Sequence, residues 1–201
     1  MLAMAGKNCV AVAVDKRFGS GPALVQIAPP KLLVASDKLL VACTGLQTDA
    51  QSLQQDLSVQ ISKTFARGLG FTQTVQTEIS PRSLASLTSH ILYQRKRAPY
   101  YVEPLVVGMD GSKPYLCSFD MIGAKSLSES FVCAGAATKS LYGTAEALWE
   151  KDLAPQDLVR RCGQAFLSAM ERDCLSGYGA LIYLITEHGG IQEFEVDTRN
   201  D

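Results

Sequence analysis

A chain of 201 residues is long enough for one compact domain, which at this size buries about 70% of its unfolded surface and needs no disulfide or metal staple. Hydrophobic residues make up 47% and charged ones 19%, a balance that excludes a disordered chain. A net charge of −1 supplies no basic field for nucleic acid or an anionic membrane, so neither is expected as a partner.

The first clear element is a strand over 8–14, Asn-Cys-Val-Ala-Val-Ala-Val. Val10, Val12 and Val14 point one way, and Cys9, Ala11 and Ala13 the other. Both faces are apolar, so the strand is covered on both sides, with small residues where another layer comes close. Gly19-Ser20-Gly21-Pro22 breaks it. Apolar runs 31–36 and 39–44 then flank Ser36-Asp37-Lys38 and predict a hairpin. The period next lengthens. Ala50, Leu53, Leu57, Ile61 and Phe65 recur at three and four, with Thr48 as candidate cap and Gly68 at the end, which predicts a helix.

A second helix is expected from Ser80-Pro81 through Leu84, Leu87 and Ile91 towards Arg97, where Ala98-Pro99 stops it. Strands at 104–109 and 114–119 join through Asp110-Gly111. Helices return at 138–150 and 155–173, and a hairpin of 179–186 and 191–196 closes the chain through His188-Gly189-Gly190. Strands come in blocks and helices in pairs, which argues against a parallel doubly wound sheet. Two antiparallel sheets with helices outside fit an α+β fold better, although periodicity alone leaves other α+β packings open. No repeat or linker divides the chain, so residues 1–201 read as a single domain.

The six cysteines (Cys9, Cys43, Cys117, Cys133, Cys162 and Cys174) form no Cys-x-x-Cys pair. With only His90 and His188 beside them they predict no zinc site, and they read as free thiols in a reducing compartment. No apolar stretch approaches the roughly 20 residues of a membrane span, and the start lacks the apolar run of a signal peptide. An intracellular soluble chain without metal or cofactor is expected.

Asp15, Arg17 and Lys31, the turn at Gly45, and the distant run Asp173-Cys174-Leu175-Ser176-Gly177-Tyr178-Gly179 stand in an informative order. In order and spacing the chain resembles proteasome beta-type subunits, a family of N-terminal-nucleophile hydrolases, from Gly6 to about Val196. Gly6–Asp15, Pro99–Pro104 and Cys117–Gly123 are most similar to its non-catalytic type-3 members. The resemblance implies a four-layer αββα sandwich, two antiparallel sheets flanked by helices on both faces. Alpha-type members carry a further helix before the first strand and match less well.

Active relatives attack peptides with a Thr hydroxyl whose own α-amino group takes the proton. Laid on this chain through Asp15, that Thr falls at or just before Met1-Leu2-Ala3-Met4, where none stands. The resemblance gives the remaining positions roles. A cation at Lys31 eases ionisation of the hydroxyl, Asp15, Asp173 and Ser176 hold the cation and the amine, and the Gly45 N–H stabilises the oxyanion. A Ser expected in the turn Cys133–Ala137 maps to Ala136. What is implied is a vestigial framework with no catalytic residue, in a structural subunit of the 20S core particle that walls the proteolytic chamber. Such a subunit sits among alpha-type and beta-type partners in stacked seven-membered rings, in cytoplasm and nucleus, and serves ubiquitin-dependent protein degradation. The alternative is an active threonine endopeptidase subunit whose Thr is missing from this sequence.

Two more positions follow from the resemblance. The segment Cys117–Asp120 matches a stretch that faces the substrate channel of an adjacent trypsin-like subunit, with Asp120 as candidate charge and Cys117 as candidate wall. In some relatives backbone carbonyls around Met170, Asp173 and Ser176 hold a cation; such ligation leaves no side-chain signature, and no metal is predicted. Plainer roles stand beside these. Lys31 and Asp15 suit a structural ion pair, Ser176-Gly177 a helix-ending turn, and Asp120 a turn cap towards Gly123. Gln94–Arg97 with Tyr93, Tyr100 and Tyr101 suits cations at a helix C-terminus better than an RNA site.

Overall fold

The computed structural model describes residues 1–27, 29, 31–68 and 79–198, with residues 64–68 described as backbone only. Strands β1 (Leu2–Gly6) and β2 (Cys9–Asp15) form the opening hairpin. Its turn places Asn8 at φ 56°, a left-handed conformation that Asn tolerates and that suits a two-residue hairpin. β3 (Arg17–Ser20) and β4 (Ala23–Ile27) make a separate two-stranded ribbon. β5 (Leu32–Ser36) and β6 (Leu39–Gly45) follow, then helices α1 (Gln47–Gly68) and α2 (Pro81–Gln94). β7 (Val102–Asp110), β8 (Lys113–Phe119), β9 (Lys125–Ser128) and β10 (Phe131–Cys133) lead to α3 (Thr138–Leu148) and α4 (Pro155–Met170). β11 (Ala180–Thr186) and β12 (Gly190–Val196) complete the order.

One sheet runs β10-β1-β2-β11-β12 and the other β5-β6-β7-β8-β9, every pairing antiparallel. The alternation in β2 shows how they stack. Cys9, Ala11 and Ala13 face the helix layer of α3 and α4, where they meet Cys162, Ala165 and Ala169. Val10, Val12 and Val14 face the second sheet and pack with Leu40, Ala42, Leu105 and Val107. The outer face of that sheet, with Val41, Cys43 and Val106, is covered by Leu53 and Leu57 of α1 and Leu84 and Leu92 of α2. The result is the four-layer αββα sandwich, and small side chains at Ala11 and Ala13 let α4 lie close to β2.

Several boundaries differ from the sequence reading. β1 was not anticipated, because Leu2-Ala3-Met4-Ala5 carries no polar alternation; it lies buried between β2 and β10. β2 ends at Asp15, before Gly19–Pro22, and that segment instead turns the chain from β3 to β4. β9 and β10 are short and polar or solitary in sequence, and carry too few residues to show a period. α1 starts at Gln47, so Thr48 lies inside the first turn rather than at the cap. α2 ends at Gln94, three residues before Arg97, in turns where the Arg95 and Lys96 N–H groups donate to Leu92 and Tyr93. α3 and α4 likewise stop at Leu148 and Met170, short of 150 and 173. The Phe65 side chain lies outside the described residues.

Candidate functional site

Strand ends and loops meet in a cleft of about 280 Å³ whose lining includes Met1, Asp15, Lys31, Gly45, Ala136 and Ser176. Lys31 stands just ahead of β5 and crosses to the end of β2. Its Nζ donates to Asp15 Oδ1 at 2.5 Å and to the Arg17 carbonyl at 2.9 Å. The Lys31 and Asp15 side chains are only 12% and 13% exposed, so each charge depends on the other for solvation.

Arg17, itself buried, extends the network. Its guanidinium donates to the carbonyls of Gly21 at 2.6 Å and Leu175 at 3.0 Å, tying the ribbon's turn to the loop after α4. The same group lies across Gly19, where any Cβ would collide with it.

Gly45 ends β6 with φ +119°, and a Cβ there would run into the Tyr101 carbonyl. Glycine is therefore required on both conformational and steric grounds. The turn before α3 is fixed by the Gly135 N–H donating to Glu103 Oε2 at 3.0 Å, and by Thr138, whose hydroxyl and N–H both donate to the Gly135 carbonyl. Ala136 is exposed in that turn and presents a methyl group to the cleft.

Met1 N donates to the Ala134 carbonyl at 2.8 Å. Its amino group is pushed down to about 6 by burial, against the pull of Asp15 and with a further push from Lys31. Among the other groups in the lining, Cys43 is poorly suited as a nucleophile, since burial pushes its thiol up to about 12. Ser176 Oγ donates to Asp173 Oδ2 at 2.6 Å, and a carboxylate so placed orients the hydroxyl.

The structure thus brings Asp15, Lys31, Gly45, Ala136 and Ser176 to one cleft. Asp173 stands behind it, where its other oxygen accepts from the Leu175 N–H at 3.2 Å, and its partner is Ser176 rather than Lys31. The two remaining candidates lie elsewhere. Cys117 is fully buried on the face of β8 that points at α1 and α2, beside Tyr115 and Phe119, so it walls no open channel. Strand alternation puts it there, and its place in the sequence run concealed this. Asp120 is exposed, and its Oδ1 accepts from Ala124 N at 2.7 Å and Ile122 N at 3.0 Å, which makes it the cap of its own turn.

Other contacts had no readable signal. Lys16 is buried against Gly179 and pairs with Glu195, and Glu103 reaches the turn before α3. In the basic run, Arg95 lies 4.4 Å over the Tyr100 ring and 3.7 Å from Asp56, and Lys96 lies 4.2 Å over Tyr93. Those two cations already have intramolecular partners.

The chain matches the family described as Proteasome subunit over residues 1–185. It is 38% identical over 186 residues to the Probable proteasome subunit beta type-3 of Schizosaccharomyces pombe, covering 92% of this chain and 88% of that protein. It is 37% identical over 187 residues to the Proteasome subunit beta type-3-A of Arabidopsis thaliana, and 38% over 188 to the Proteasome subunit beta type-3 of Trypanosoma brucei brucei, with the same coverage in each case. The matched span takes in β1 to α4 and the loop that carries Asp173 and Ser176, and this chain belongs to the proteasome subunit family.

Proposed function

We propose that the chain is a non-catalytic, type-3 beta subunit of the 20S core particle. In this reading residues 1–201 form one domain that takes a place in a seven-membered beta ring, against two ring neighbours, the alpha ring and the facing beta ring. It walls the proteolytic chamber and supports active neighbours, in cytoplasm and nucleus, without a cofactor. The likeness to proteins named beta type-3 supports the assignment. Ala136 is the observation that carries the lack of activity: a methyl group cannot accept or donate the hydrogen bond by which the Ser of active relatives holds the catalytic amine. Asp15, Lys31, Gly45, Asp173 and Ser176 then serve as a retained structural frame. Asp120 is the group offered to a neighbour's substrate channel, through the carboxylate oxygen that does not cap the turn.

The competing reading is an active threonine endopeptidase subunit. Particles purified through another subunit and treated with a peptide epoxyketone, which captures an N-terminal Thr, separate the two. The expected result is labelled active subunits and an unlabelled copy of this chain. An adduct at this chain's own N-terminus would establish the competing reading instead.

A further inference from the structure

The two sheets part along one border, between the edge strands β5 and β12. On β5, Val34 stands on the same face as Leu32, which packs between the sheets, yet 59% of Val34 meets water. A cavity of about 880 Å³ opens there, within the usual range of small-molecule sites. Among the described residues it shares only Asp15 and Lys31 with the candidate cleft. Val14, Leu40 and Leu181 give it apolar walls, with Leu32 and Ile191 at its sides.

The inner face of β12 breaks this apolar pattern. Register sets Tyr183 opposite Glu193 and Leu181 opposite Glu195, so both glutamates share the face of Leu181 and Tyr183, which pack between the sheets. Glu195 is matched by the buried Lys16, an ammonium on an aliphatic stem. Glu193 lies one step along the same face, and among the described residues no cation pairs with it. Tyr183 is pushed up to about 12, by burial first and then by Glu193, so its hydroxyl stays protonated and donates to that carboxylate. In the lining as a whole, Asp15, Asp37, Glu187 and Glu193 outnumber Lys31 and Lys38, with His188 beside Glu187. Excess negative charge next to apolar walls favours a cation with an apolar body and repels an anion.

We propose that this cavity between the sheets is a binding site for a small organic amine, whose ammonium pairs with Glu193 and whose aromatic or alkyl body lies against Leu32, Val34 and Leu40. The contact of Lys16 with Glu195 is the chain's own version of that pairing. Inward charges on an edge strand also discourage strand addition, and a Glu193 with that role alone would not distinguish one small molecule from another.

The test irradiates the full-length chain with 4-benzoylbenzylamine, a photoreactive benzophenone that carries an ammonium, and maps the adducts by peptide mass spectrometry. The controls are 4-benzoylbenzoic acid, which is anionic, and neutral 4-methylbenzophenone. Expected is saturable labelling within residues 31–40 and 181–193 by the amine, with much less by either control. Unlabelled phenethylamine should compete, and spermidine, which has charge but no apolar body, should compete poorly. Glu193→Gln should weaken the apparent affinity about fivefold. Val34→Trp, which fills the cavity from its open side, should abolish labelling, and Glu146→Gln on the exposed face of α3 should leave it unchanged. Glu193 and Val34 are both exposed, so the variants should keep the circular dichroism of the wild-type chain, and the comparison of probes needs no substitution at all. Equal labelling by the three probes, competition by spermidine as strong as by phenethylamine, or full affinity in Glu193→Gln overturns the proposal. So does labelling that never saturates or that falls outside the two segments.

Discussion

At the scale of single residues, the Lys31–Asp15 pair shows how two nearly buried charges come to depend on each other. Each side chain is largely cut off from water, so removal of one leaves the other as an unpaired charge. Lys31→Met should therefore destabilise the fold by about 3 kcal/mol, whereas Lys31→Met with Asp15→Leu should recover a good part of that loss. Pulse proteolysis in urea at nanomolar concentration measures both without interference from association. A single-variant loss below about 0.5 kcal/mol would show that the pair contributes as little as an exposed one. The pairing of Asp15 with Lys31 was legible from residue type and spacing through the family resemblance. The tie from Arg17 to Leu175 was not, because a carbonyl acceptor is the same in every residue and leaves no mark on the sequence.

Among the elements, helix starts offer a matched pair of experiments. Ser80 caps α2 with extended backbone angles (φ −72°, ψ 150°), and its Oγ accepts from the Ser83 N–H at 3.2 Å. Ala154 holds almost the same angles before α4 (φ −65°, ψ 153°) but has no side chain to accept a hydrogen bond. Ser80→Ala should cost about 1 kcal/mol and Ala154→Asp should gain a similar amount, opposite signs from one geometry. Melting temperatures should move down and up by about 2–4 °C. A fall for Ala154→Asp would mean that crowding before Pro155 outweighs the new bond. Both caps follow from the Pro that comes next, and α2's was visible in the sequence. Elements of strong period, such as β2 and α4, could be read directly. The short β9 and β10 could not: β9 is a polar four-residue strand beside its chain neighbour β8, and β10 has three residues and pairs with the distant β1.

For the molecule as a whole, the three apolar layers enclose five of the six thiols and leave Cys174 exposed. Burial pushes Cys43, Cys133 and Cys162 up to about 12, and Cys9 and Cys117 up to about 11, from an ordinary value of 9.0. The folded state thus keeps protons that the unfolded chain releases above pH 9. The stability they contribute is complete below that value and is lost as pH rises through 9 towards 11 and 12. The melting temperature should stay level up to about pH 8.5 and fall increasingly above 9, and Cys162→Ala should flatten the fall. Native alkylation with iodoacetamide should mark Cys174 alone. A flat profile to pH 11 would refute the burial argument. The two apolar faces of β2 made its cover on both sides legible, while the four-layer order came from the family resemblance, because periodicity alone fits other α+β packings.

The order of strands has a consequence for synthesis. In the first sheet β2 is flanked by β1, its immediate neighbour in the chain, and by β11, with Asp15 opposite Ala180 and Cys9 opposite Thr186. The second sheet, by contrast, is made from one continuous stretch between Leu32 and Ser128 and can close as it leaves the ribosome. Half of β2's hydrogen bonds must then wait while the intervening chain is translated, on the order of ten seconds at ordinary elongation rates. Throughout that interval a strand with two apolar faces has an open side, and the nascent chain needs shelter long before it meets any neighbour.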